Sequence, residues 1–323
     1  MKRISVLFLL ALALPAVAAG GARDVKLSLV AYSTPREAYG KLISAFQKTP
    51  AGKDVSFTQS YGASGAQSRA VAAGLPADVV AFSLAPDITD LVAKGLVSPS
   101  WSKNRWNGMV TRSVVVFVLR DGNPKKIHTW DDLLKPGVQV VTPNPFTSGG
   151  ARWNVMAAYG SQLRAGKTPA QAVAYLQKLF KQHVVSQPSS AREALQTFLA
   201  GKGDVALQYE NEAIFAQQHG QSVQYLIPKA TILIENPVAV LSKSSHKAQA
   251  TAFVNFLHTP AAQKIFVESG YRPVLQSAAK GHSFPSRPQL FTIKYVGGWP
   301  KVAKRFFDPK TGVMAKIEGS LGG

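Results

Sequence analysis

Short apolar runs alternate with amphipathic segments along the first third of the chain, a pattern typical of α/β proteins. One amphipathic segment carries Ala38, Leu42 and Phe46 near helical spacing. The predicted elements are strands at residues 26–32, 55–60 and 77–82, with helices at 36–48 and 65–73 between them. The chain is therefore expected to open with a βαβαβ unit.

The middle of the chain repeats this alternation between two long apolar runs. The run at 113–119 is rich in β-branched residues and predicts a buried strand that leaves a first lobe, and 230–241 predicts the strand that returns. The elements expected between them are strands at 139–142 and 204–208 and helices at 151–163, 168–181 and 191–199. Two crossings imply a hinged cleft between two lobes. The expected division is 24–110 plus 235–323 for lobe 1 and 111–234 for the inserted lobe 2.

The N-terminus has the form of a cleavable signal peptide at residues 1–18. Lys2 and Arg3 precede an apolar run at 4–14, and small residues at 16–18 offer a cleavage site. An uncleaved membrane anchor is the alternative, but the run is shorter than the roughly 20 residues a spanning helix needs. We expect an exported, periplasmic protein.

Composition narrows the classes of function. The 323 residues, 46% hydrophobic, exceed what one core usually holds, and the absence of cysteine excludes disulfides and thiolate metal sites. The net charge of +20 suggests nucleic acid, an acidic membrane or a small anion as partner, or serves only solubility. Because the basic residues are scattered and not interleaved with aromatic residues, nucleic acid is not expected.

Four predicted strand ends lead through small residues into helices. They lie at 31–37, 60–67, 144–153 and 189–192. The start of a helix presents unpaired N–H groups and a partial positive charge, so it attracts anions. Each junction alone fits an ordinary turn and helix cap, but four together would surround a small anion with neutral donors.

Several motifs resemble the sulfate- and thiosulfate-binding proteins of ABC importers. They are NPFTSGGARWN at 144–154, GDV at 203–205, ENEA at 210–213, YRP at 271–273, FTI at 291–293 and GGW at 297–299. The resemblance spans nearly the whole mature chain. It implies a periplasmic-binding-protein type II fold, no catalysis, no cofactor, a monomer, and delivery of the anion to permease subunits.

The resemblance also implies a set of ligand-binding residues. These are Ser148 through its hydroxyl and N–H, Gly149, Gly150 and Ala191 from one lobe, with Ser64 and the backbone of Ser33 from the other, and Tyr209. Ser33 stands where the family has an aspartate, and Tyr209 where it has a tryptophan. A phenol can accept as well as donate hydrogen bonds, which leaves thiosulfate or another oxyanion such as molybdate or tungstate open. Sulfate only accepts, so donors alone satisfy it, whereas phosphate keeps a proton that would face them.

Other chemistry has weaker support in the sequence. Glu210 and Glu212 are two residues apart and point to different faces of a helix, so we expect structural roles, with Arg152 a candidate partner. Arg152 and Arg192 are either anion ligands or structural residues that pair with a carboxylate or cap carbonyl groups beneath the site. The six histidines lack metal-ligand spacing. A secreted hydrolase with Ser148 or Ser64 as nucleophile is the alternative from another class.

Overall fold

The computed structural model describes residues 25–285 and 287–319. The predicted signal peptide lies outside these residues. The strands are β1 (Val25–Tyr32), β2 (Val55–Gly62), β3 (Val79–Ala81), β4 (Met109–Arg120), β5 (Val140–Val141), β6 (Val184–Ser186), β7 (Val205–Tyr209), β8 (Val223–Leu226), β9 (Ala230–Val240), β10 (Arg272–Pro273) and β11 (Gln289–Phe291). The helices are α1 (Arg36–Phe46), α2 (Ser64–Ala72), α3 (Ala85–Ala93), α4 (Gly149–Arg164), α5 (Pro169–Gln182), α6 (Ala191–Leu199), α7 (Glu210–Gln218), α8 (Lys247–Leu257), α9 (Pro260–Glu268), α10 (Trp299–Phe307) and α11 (Val313–Gly319).

The strands form one curved sheet whose two ends belong to different lobes. Its main order is β2-β1-β3-β9-β4-β7-β5-β6. β1 is parallel to β2 and β3, as the predicted βαβαβ opening requires, and β5 is parallel to β6 and β7. The antiparallel strands β4 and β9 join the two groups.

β4 and β9 are the two predicted crossings. β4 pairs with β9 over its first half and with β7 from Val115 onward, and β9 leaves β4 to pair with β3 from Val238. Each strand thus belongs to both lobes. This pairing is what the predicted double passage of the chain between lobes requires.

Strand β4 shows why the sheet is covered on both faces. Its side chains alternate between two cores, with Val115, Phe117 and Leu119 in one cluster and Val114, Val116 and Val118 in the other. All six are at most 3% exposed. A continuous β-branched run is what a strand buried on both faces requires.

The C-terminal segment packs differently from the expected division into lobes. Lobe 1 was expected to hold all of 235–323, and α8 and α9 do pack on its core. Residues 289–319, however, cover the core of lobe 2: the ring of Trp299 lies 4.7 Å from Trp153, and Phe306 lies 4.7 Å from Tyr159. The apolar stripe of α10 predicts burial, but it does not say which of two cores receives it.

Helix α4 passes through the middle of this packing. From Gly149 to Gln162 every residue except Arg152 is buried, so the helix has no polar face exposed to solvent. A helix buried in this way cannot shift its start without disrupting the core. Its first turn is therefore held rigidly at the junction of the lobes.

Candidate functional site

The starts of α4 and α6 meet the end of β7 between the lobes. A Cβ built on Gly150 would lie 2.8 Å from Tyr209 Cε2 and 3.2 Å from Ala191 Cβ. A Cβ on Gly149 would lie 2.5 Å from the Oγ of Ser83, which follows β3 in lobe 1. Only glycine fits at either position without a shift of its neighbours. Four of the predicted site residues, Gly149, Gly150, Ala191 and Tyr209, thus belong to one cluster.

Helix α4 offers two backbone amides to this cluster. Ser148 caps the helix, and its Oγ accepts from the Ala151 N–H at 3.3 Å. The Ser148 N–H donates to the Asn144 carbonyl at 2.9 Å, so this amide, which the resemblance implied as a ligand donor, is engaged. The N–H groups of Gly149 and Gly150 have no acceptor among residues 25–285 and 287–319. They carry the positive end of the helix dipole.

Helix α6 contributes in the same manner. Ser190 caps it by accepting from the Glu193 N–H at 3.3 Å, and the Ala191 N–H finds no acceptor in the described part of the chain. The Arg192 N–H donates to the Oγ of Ser33 at 3.4 Å. This long hydrogen bond brings Ser33 of lobe 1 to the first turn of a helix in lobe 2.

The hydroxyl of Ser64 is used within lobe 1. It donates to Asp87 Oδ2 at 2.5 Å and accepts from the Ser83 N–H at 2.9 Å. A hydroxyl has one proton, so Ser64 cannot donate to a ligand while it holds this bond. Ser64 instead orients Ser83. Burial raises the pKa of Asp87 to about 6, although Arg152 and the Ser64 hydrogen bond act in the opposite direction.

Ser83 belongs to this cluster, although the sequence did not single it out. It is 1% exposed, its Oγ lies 2.5 Å from the Tyr209 hydroxyl, and its carbonyl accepts from Trp153 Nε1 at 3.0 Å and Asn236 Nδ2 at 2.9 Å. The signal was present in the sequence. Ser83 directly follows the strand predicted at 77–82, and Pro86 lies in the first turn of α3, which repeats the form of the four junctions already identified.

Tyr209 places a neutral hydroxyl at the boundary between the lobes. Burial raises the pKa of its phenol well above the ordinary value, so the group keeps its proton at neutral pH. The Tyr209 and Ser83 hydroxyls together have two protons, and their mutual hydrogen bond uses one. The pair therefore has one proton to donate elsewhere.

Charged side chains near the cluster are paired with each other. The Arg192 Nε lies 2.7 Å from Glu212 Oε2, and its other nitrogens reach Glu37 Oε1 at 2.8 Å and the Thr34 carbonyl at 3.0 Å. Glu37 belongs to lobe 1, whereas Arg192 and Glu212 belong to lobe 2. Burial raises the pKa of Glu212, and the neighbouring Arg192 partly offsets this by favouring the ionised carboxylate. Arg192 thus links the two lobes, and its guanidinium nitrogens are engaged by protein acceptors and not by an anion.

The expected structural role of the two glutamates is supported, but their expected partner is wrong. Glu212 pairs with Arg192, and Glu210 accepts from Arg272 Nε at 2.6 Å. Arg152, the candidate partner, donates instead to the Pro145 carbonyl at 3.0 Å. Spacing along a helix predicts which face a carboxylate occupies, but not which distant arginine faces it.

The hydrolase alternative lacks its catalytic partner. In the region that the structure describes, no histidine is hydrogen-bonded to Ser64 or Ser148. The same residues contain no cluster of three or more His, Asp or Glu arranged to hold a metal ion. They also contain no helix long and apolar enough to cross a membrane.

Comparison with known proteins identifies relatives along nearly the whole chain. Residues 27–272 match the profile of bacterial extracellular solute-binding proteins. The sulfate-binding protein of Synechococcus elongatus is 42% identical over 94% of this chain and 89% of its own length. The thiosulfate-binding protein of Pseudomonas aeruginosa is 36% identical over 95% of this chain and 96% of its own length. All of these are named for binding and none for a reaction.

Solved structures agree with the two-lobed fold. The sulfate-binding protein SubI from Mycobacterium tuberculosis has a TM-score of 0.85 and 43% identity, and covers 88% of this chain and 100% of its own. A periplasmic thiamin-binding protein, at 17% identity, has a TM-score of 0.70 over 93% of this chain and 98% of its own. The predicted periplasmic-binding-protein type II fold is confirmed.

Proposed function

Because this chain belongs to the bacterial extracellular solute-binding proteins, we propose that it captures sulfate or thiosulfate and delivers the anion to an ABC importer. The single observation that carries this proposal is the convergence of unpaired N–H groups on two helix starts. Sulfate- and thiosulfate-binding relatives at 36 to 42% identity support it. The protein binds its solute and does not transform it.

The anion would be held by neutral donors. The N–H groups of Gly149, Gly150 and Ala191 would each donate to the anion in place of one water molecule. The helix dipoles favour negative charge at these helix starts. The Ser148 hydroxyl and the backbone of Ser33 complete the proposed set. Ser64 would act indirectly, since its hydroxyl positions Ser83.

The hydroxyl pair of Ser83 and Tyr209 would add one further donor. Sulfate and thiosulfate are fully ionised near neutral pH and only accept hydrogen bonds, so a wall of donors suits them. Phosphate retains a proton that needs an acceptor, and an unpaired buried group costs roughly 1 to 3 kcal/mol. We therefore expect discrimination against phosphate.

Capture would depend on closure of the lobes. Ser83 and Ser33 come from lobe 1 and the two helix starts from lobe 2, so a complete set of contacts requires both lobes. The closed form would be what permease subunits of the importer recognise. We propose export by the signal peptide at residues 1–18 and action as a monomer in the periplasm.

A larger oxyanion is the second candidate. A molybdate-binding protein from Mycobacterium bovis is 25% identical over 80% of this chain and 87% of its own length. Molybdate is also tetrahedral and divalent, so the same donors would suit it. The higher identity of the sulfate- and thiosulfate-binding relatives favours those smaller anions.

Isothermal titration calorimetry with sulfate, thiosulfate, molybdate, tungstate and phosphate tests the proposal. The mature protein, freed of bound anion by exhaustive dialysis, is expected to bind sulfate or thiosulfate at one site per chain, with phosphate about 5- to 150-fold weaker. Tighter binding of molybdate would favour the second candidate. If none of the five anions binds, the proposed function is wrong.

A further inference from the structure

A cavity away from the cleft has a basic wall. It has a volume of about 400 Å³ and lies beside the strands that join the lobes. Its polar lining includes Arg112, Arg272, Gln276 and His282, and Leu233 and Phe284 are among its apolar residues. Within the described residues, no acidic side chain lines it.

The strand register places like charges side by side at this wall. Arg112 of β4 is directly opposite Arg272 of β10 on one side and Glu235 of β9 on the other. Like charges directly opposite in adjacent strands are unfavourable unless they are neutralised. How each arginine is neutralised therefore decides what the cavity can hold.

Arg272 is held by a buried carboxylate. Its Nε and a terminal nitrogen donate to the buried carboxylate of Glu210 at 2.6 and 2.9 Å, and it also donates to the Pro285 carbonyl at 2.9 Å. A two-point pair of this kind fixes the guanidinium in place. Arg272 thus forms a rigid part of the wall.

Arg112 has no such hydrogen-bonded carboxylate. Its side chain makes no hydrogen bond in the part of the chain that the structure describes, and its Nε is buried without an acceptor. Glu235 forms a loose ion pair with Arg112, since its Oε1 lies 3.8 Å from that Nε, beyond hydrogen-bond distance. The two terminal nitrogens of Arg112 therefore remain as donors that suit a carboxylate or phosphate.

We propose that this cavity is a second ligand site for a small organic anion, with a carboxylate or phosphate monoester group on Arg112 and an apolar part against Leu233 and Phe284. The volume exceeds what a bare sulfate fills, and the mixed lining suits a molecule that is charged at one end only. The site does not depend on the proposed function of the cleft. It lies at the β10–β4–β9 strands and shares none of the proposed sulfate contacts.

Calorimetry with benzoate and with phenyl phosphate tests this site, with benzyl alcohol as the neutral control. Each titration is run with and without sulfate in the cell, so that binding in the cleft is distinguished from binding in this cavity. At least one of the two anions should bind with a Kd of about 1 mM or tighter, whether or not sulfate is present, and benzyl alcohol should not. If neither anion binds, the proposal is overturned.

Substitutions assign the binding to Arg112. Arg112→Gln should weaken it at least about tenfold, and Arg112→Lys, which keeps the charge but loses the planar donors, should weaken it less. The matched control is Arg105→Gln, since Arg105 is exposed and its guanidinium stacks on Trp106 at 4.2 Å, away from the cavity. Unchanged affinity in both Arg112 variants would contradict the proposal. Sulfate titration of each variant checks that the protein is folded.

Discussion

Two neighbouring residues of α6 differ in whether their hydrogen-bond donors have acceptors within the protein. The Ala191 N–H has no acceptor among the described residues, whereas the Arg192 side chain next to it reaches two carboxylates and a carbonyl. The same division holds between the first turn of α4 and Arg272, which is paired with Glu210. Around the cleft, the charged side chains are paired with one another, and neutral amides remain for a ligand.

This division has a physical reason. A buried guanidinium left without a partner each time its ligand departs would cost several kcal/mol, because a buried unpaired charge is poorly solvated. An unpaired amide costs only about 1 to 3 kcal/mol. A protein that must both bind and release a divalent anion therefore benefits from neutral donors in the site and paired charges around it.

The largest effect is expected for Gly150→Ala. The new Cβ would lie 2.8 Å from the Tyr209 ring and 3.2 Å from Ala191, so the amides must move apart. We expect sulfate affinity to fall about 100-fold, or about 2.7 kcal/mol, in calorimetry. The control is Gly40→Ala, because Gly40 lies in α1 with nothing within 4 Å of the added Cβ. Equal affinities in the two variants would remove the start of α4 from the site.

Tyr209→Phe should have a smaller effect. It removes one hydroxyl of the pair with Ser83 while keeping the ring that packs against Gly150. This prediction takes the Tyr209 hydroxyl as the member of the pair that donates to the anion, with Ser83 donating to Tyr209. Its loss is then expected to weaken sulfate binding about tenfold, since a net hydrogen bond contributes about 1 kcal/mol or somewhat more. Tyr159→Phe, also buried in lobe 2, is the control. If Tyr209→Phe binds sulfate as tightly as the wild type, the phenol does not reach the anion.

Glu37→Gln tests the role of the paired charges around the cleft. It breaks the ion pair between Glu37 of lobe 1 and Arg192 of lobe 2 and leaves every amide donor in place. Because the Glu37 side chain is 38% exposed, the expected loss of affinity is only about fivefold, near 1 kcal/mol. Small-angle scattering should show a less closed protein at low sulfate. Glu268→Gln, which affects an exposed pair within α9, should change neither quantity.

The last prediction concerns stability and not affinity: a pH dependence that comes from Asp87. Burial raises its pKa to about 6 from an unfolded value near 3.8, so the folded state binds the proton more tightly. The stabilisation from this proton is present below about pH 4 and is lost as the pH rises through 6. The slope stays below about 1.4 kcal/mol per pH unit, the limit for one proton. Urea unfolding at several pH values should show a shallower decline for Asp87→Asn than for the wild type; identical declines would rule out Asp87 as the source.

Local patterns predicted the helix starts well. Residues 191–199 were expected to be helical and form α6 (Ala191–Leu199), and α4 begins two residues before its predicted start at 151. Caps and periodicity are decided by a few neighbouring residues, so the sequence contains this information. The crossing strands were found for the same reason, because their apolar runs are long and β-branched.

Contacts between distant residues could not be predicted in the same way. The sequence does not say that Glu212 faces Arg192 across 20 positions, or that the Ser64 hydroxyl is taken by Asp87. It also does not say that α10 covers the core of lobe 2. These choices depend on how the lobes pack, which no local pattern records. For Ser83 the local pattern, a predicted strand followed by Ser83 and then Pro86, indicates a junction, but it does not give the contact with Tyr209.

A crystal structure grown with sulfate tests the central claim most directly. We expect one sulfate between the lobes, with its oxygens 2.7–3.2 Å from the backbone nitrogens of Gly149, Gly150 and Ala191, and with Arg192 still bound to Glu37 and Glu212. A sulfate held by the guanidinium of Arg192, or bound elsewhere with these three amides facing water, would contradict the account.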